Sequence, residues 1–111
     1  MENEPKLNAR LNSCFTAAGY ETVTLPDTSG LLATLQAKRP DVILIREILP
    51  GVTGSSVAAN LSPFTTASGI SVILYDTSNL HPPTARFPNV AKFLVTDAPA
   101  ELLKAVAAIL S

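Results

Sequence analysis

The chain has one cysteine, one histidine and no tryptophan among its 111 residues. A lone Cys14 excludes an internal disulfide and any cysteine metal cluster. With His81 as the only histidine, the Cys/His zinc patterns are excluded as well. Charge is sparse too: 15% of residues are charged, eight basic against nine acidic, for a formal net charge of −1. A free-standing nucleic-acid binder is not expected from that balance, because phosphate contacts need a concentrated positive face. No stretch approaches the roughly 20 apolar residues of a membrane-spanning helix. The amino-terminal MENEPKLNAR is polar and carries two glutamates, unlike a secretory signal. These absences predict a cytoplasmic domain without membrane contact.

What is present is apolar and segmented. Hydrophobic residues make up 47% of the chain, which argues against disorder, and the length suits a single domain over residues 1–111. In residues 5–18, Leu7, Leu11, Cys14, Phe15 and Ala18 recur at helical spacing. Pro5 fits the first turn and Gly19 the carboxyl-terminal cap, while Cys14 reads as a small buried hydrophobe. YETVTL at 20–25 alternates like a strand. Asp27, Thr28 or Ser29 can cap a second helix with Leu31, Leu32 and Leu35 on one face. Pro40 stops it, and DVILI at 41–45 reads as a strand buried on both faces. LPGVTG at 49–54 is expected to be a loop, and 55–61 a short helix capped by Ser55 or Ser56. Residues 62–69 are expected to be loop, and ISVILY at 70–75 a second buried strand. Pro82, Pro83 and Pro88 argue against a long helix over 76–89. VAKFLV at 90–95 is a further strand and 99–110 a closing helix with Leu102, Leu103, Val106, Ile109 and Leu110 along its stripe. Helices and strands in this alternation demand an α/β sandwich around a parallel sheet.

Residues 40–54, PDVILIREILPGVTG, resemble the pattern PDLVLLDIMLPGMDG of bacterial response regulator receiver domains. AGYETVTLPDTSGLLATLQAKRPD is similar to that family's first-helix, second-strand and second-helix region, and FLVTDAPAELLKAVAAIL to its last strand and helix. The resemblance implies a flavodoxin-like three-layer sandwich with a parallel sheet. It also implies where a phosphorylation site would lie, at the carboxyl ends of the strands, as is usual in such sheets. There the acceptor aspartate falls on Arg46, the acidic magnesium pair on Glu2 and Asn3, the hydroxyl on Asp76, the lysine on Thr96 and the aromatic switch on Phe93. A guanidinium is no nucleophile, and its fixed charge repels Mg²⁺. Glu47 is one residue late, and strand alternation turns it away from the Arg46 side.

Two readings of Arg46 stand open. It pairs with Asp76 across adjacent strand ends, replacing a phosphoryl contact by a fixed ion pair, or it points into solvent. His81 reads as a solvated loop residue, since no partners lie near it in sequence. Residues 76–89 are either a rebuilt interaction surface around Leu80, His81 and Phe87 or a neutral loop. In receivers a first strand precedes the acidic pair and lies inside the sheet, whereas only Met1 stands before ENEP here. The 20–25 strand could shift to pair with 41–45, a second copy could fill the gap, or the strand could lie upstream. An open apolar edge favours a homodimer. The expectation is thus a phosphorylation-independent pseudo-receiver in two-component-type signalling, with a protein or itself as partner. It would have no catalytic residues, metal or cofactor. The alternative is an anion or small-molecule module built on Arg46.

Overall fold

The computed structural model describes residues 1, 4–23, 30–38, 40–49, 51–76 and 90–110. Glu2, Asn3, the cap candidates Asp27, Thr28 and Ser29, and Leu80, His81 and Phe87 lie outside the described residues. In chain order the elements are α1 (Pro5–Ala17), α2 (Leu31–Lys38), β1 (Val42–Arg46), β2 (Ile48–Leu49), β3 (Val52–Thr53), α3 (Gly54–Ser68), β4 (Ser71–Tyr75), β5 (Lys92–Leu94) and α4 (Pro99–Leu110). Among the described residues the main sheet is parallel with order β1-β4-β5, and β2 and β3 form a small antiparallel hairpin.

Strand alternation divides the core into two layers. Ile43, Ile45, Val72 and Leu74 face α2 and α3, where they meet Leu31, Leu35, Val57, Ala58 and Leu61. Ile73 and Tyr75 face α1 and α4, packing on Leu7, Leu11, Phe15, Leu102 and Val106, with Val42 and Leu44 half-buried beside them. β4 lies between two strands and is buried on both faces, which is why it reads as an unbroken apolar run. This is the expected three-layer α/β arrangement.

Several local expectations change. The helix expected to end at Leu61 runs on to Ser68 through Pro63. Burial of Val57, Ala58, Leu61 and Thr65 on one continuous face holds it together past the proline, a case of tertiary packing overriding a local breaker. It ends where Gly69, at φ +68°, lets the Gly69 and Ile70 amides bond back to Thr66 and Thr65. The 49–54 loop contains the β2–β3 hairpin, and Thr53, rather than Ser55 or Ser56, caps α3 through its Oγ1 on the Ser56 amide (3.2 Å). Leu32 is half exposed, because only Leu31 and Leu35, a turn apart, reach the core. Cys14 is half-buried rather than buried. Residues 20–23 form no strand, so the described part of the 20–25 segment does not pair with β1.

Gly54 joins hairpin to helix at close quarters. A Cβ there would collide with the Arg46 carbonyl oxygen and come within 2.9 Å of Ile45 Cγ2. Since the first obstacle is backbone of the central sheet, Gly54→Ala is expected to destabilise the fold by about 1–3 kcal/mol. Chemical denaturation measures this, and an unchanged midpoint would show that the junction has slack.

Candidate functional site

Arg46 ends β1, Asp76 follows β4, and Asp97 follows β5. Three adjacent parallel strands thus deliver one cation and two carboxylates to the same edge, where sites form in open parallel sheets. Arg46 Nη2 lies 3.7 Å from Asp76 Oδ1, and Nη1 lies 3.5 Å from Asp97 Oδ2. The Arg46 side chain is 17% exposed, that of Asp76 4% and that of Asp97 36%. These contacts are longer than charge-assisted hydrogen bonds of about 2.8 Å, so they hold by charge more than by directed bonding. The guanidinium carbon also sits 5.9 Å from the centroid of the Tyr75 ring, within cation–π range. Of the two sequence readings, the ion pair with Asp76 is the one the structure shows.

The remaining predicted site residues divide. Thr96 does not reach Arg46; its Oγ1 accepts from the Ala98 amide at 3.1 Å and shapes the turn into α4. Asp97, its neighbour, makes the contact instead. Phe93 lies on the face of β5 toward the α2–α3 layer, opposite Tyr75, and is not brought to Arg46. Glu47 is turned away as alternation requires and is 1% exposed. Its Oε1 accepts from the Ser55 amide at 2.8 Å at the start of α3, where the helix dipole favours negative charge. Its amide donates to the Tyr75 carbonyl (2.9 Å), and its own carbonyl accepts from the Gly54 amide (2.7 Å). Glu47 therefore clamps strand to helix. Asp97 and Tyr75 escaped the sequence reading. The available signal was positional: each stands within three residues of a strand's carboxyl end, on the edge that carries sites.

A phosphoryl anion approaching Arg46 would meet two carboxylates already there, and a magnesium ion would meet a fixed cation between them. No activated nucleophile faces the cluster among the described residues, and no three His, Cys, Asp or Glu side chains among them could hold a metal ion.

No family model matches the chain, and no curated protein matches it. Solved structures do. The chain is similar to the chemotaxis protein CheY4 of Vibrio cholerae, at 21% identity and a TM-score of 0.83, over 97% of this chain and 92% of that one. It is similar to the response regulator TrrA of Thermotoga maritima in complex with Mg²⁺ and BeF, at 18% identity and a TM-score of 0.81, over 99% and 94%. A LuxR-family DNA-binding response regulator of Staphylococcus aureus gives 18% and 0.75, over 99% and 94%. The chain has the flavodoxin-like fold of response regulator receiver domains.

Removing the guanidinium leaves the Asp76 carboxylate buried without its partner charge. Arg46→Ala is expected to cost about 2–3 kcal/mol in urea unfolding. Asp97→Asn, at a position one-third exposed, should cost below about 1 kcal/mol. Equal costs would mean that Asp76 does not depend on Arg46.

Proposed function

We propose that this receiver-fold chain is a phosphorylation-independent pseudo-receiver, acting as a protein-interaction or dimerisation module in bacterial two-component-type signalling. The observation that carries the reading is Arg46 at the expected acceptor position, engaged by Asp76 and Asp97. A side chain that cannot accept a phosphoryl group, neutralised by the residues around it, replaces a switchable charge with a fixed one. Nothing in this arrangement supplies catalysis, so the chain acts by binding and not as an enzyme. The partner is a protein or a second copy forming a homodimer, in the cytoplasm. A nucleic acid is disfavoured by the near-neutral charge. No helix among the described residues is long and apolar enough to cross a membrane.

Anion binding through Arg46 has less support, because an anion would first have to displace two carboxylates. The Thermotoga protein was captured with Mg²⁺ and BeF; this chain is expected to ignore both. Its amide NMR spectrum should stay unchanged on adding beryllofluoride with Mg²⁺, or acetyl phosphate with Mg²⁺. A saturable, Mg²⁺-dependent shift of resonances around Arg46 would end the proposal.

A further inference from the structure

Charge is missing from one long stretch of the chain. Residues 48–75 hold no Asp, Glu, Lys, Arg or His. β4 is buried, so its neutrality follows from its place in the sheet. Helix α3 is different, because one side of it meets water. Ser56, Ala59, Asn60, Pro63, Thr66 and Ala67 are exposed, at spacings that put them on one face. A surface helix ordinarily carries charged residues there. α2, on the same side of the sheet, turns Leu32 (50% exposed), Ala33, Gln36 and Ala37 outward. The opposite helical layer exposes charge on both of its helices, Lys6 and Arg10 on α1 and Glu101 and Lys104 on α4. Pro63 marks the middle of the neutral α3 face. It has no amide to give the Ala59 carbonyl four residues back, so the regular helical ladder does not supply that acceptor's bond.

We infer that the exposed face of α3 is a docking surface for a second copy of this chain, with two α3 helices crossing near Pro63 about a twofold axis. A surface used in such a contact meets itself. Any charge near the axis would oppose its own copy, and like charges brought together across an interface repel. A face without charge avoids that cost. Asn60 and Thr66 each donate and accept hydrogen bonds, so each can pair with the same group on the second copy. Ala59, Pro63 and Ala67 form a row at a spacing of four, the ridge that packs against a matching ridge at a crossing angle of about −50°. Their small side chains allow the helix axes to approach to about 8 Å. Crossing there, the second copy can give the Ala59 carbonyl, through Asn60, the donor that Pro63 lacks. Other occupants fit less well. A polyanion finds no cation on this face, and a charged protein partner finds nothing to pair with.

This inference rests on the dimerisation role proposed above and assigns it a surface; the phosphoryl question is read separately, by beryllofluoride. Sedimentation equilibrium of the full chain is expected to show dimer prevailing at about 100 μM and monomer at about 1 μM, as suits a small interface. Ala59→Glu and Ala59→Lys should each weaken association at least tenfold. Mixing the two variants should restore it, because opposite charges then meet across the axis. Ala107→Glu, on the exposed side of α4, should leave association unchanged. Ala67→Lys, whose charge suits the end of a helix, repeats the single-variant reading if circular dichroism shows Ala59→Glu to be unfolded. A chain that stays monomeric at about 100 μM would overturn the inference. So would association indifferent to charge on the α3 face, folded Ala59 variants that do not associate when mixed, or dissociation by Ala107→Glu. In each of those outcomes the beryllofluoride result still decides phosphorylation independence.

Discussion

A guanidinium held between two carboxylates sets the character of this molecule. Asp76 is almost fully buried at the end of the central strand, a position where a lone carboxylate would be expensive. Arg46 offsets that cost from the neighbouring strand, and Asp97 completes the cluster from the other side. The charges are spaced by the strands themselves, so the cluster and the parallel sheet support each other. Any ligand that needs Arg46 competes with contacts the fold already uses.

Much of this was legible in the sequence, for identifiable reasons. β1 and β4 are short β-branched runs bounded by breakers, and α4 has a proline at its start and a regular apolar stripe. Such signals are local, and local signals survive folding. The Arg46–Asp76 pair could be anticipated because both residues stand at ends of adjacent strands. What was not legible depended on contacts distant in sequence. Helix α3 passes Pro63 because β1 and β4 hold its buried face. Asp97 rather than Thr96 turns to Arg46 because Thr96 is spent on the turn before α4. The difference between those two neighbours is one of side-chain direction, which no spacing rule resolves.

The adjacent residues Arg46 and Glu47 carry opposite charges to opposite faces of the sheet. Sliding the strand one way would push Arg46 against the positive start of α3, and sliding it the other way would place Glu47 between Asp76 and Asp97. Both errors are repulsive. The dipeptide therefore acts as a polarity key: apolar neighbours such as Ile43, Leu44 and Ile45 could tolerate the slip, but this pair admits one alignment only.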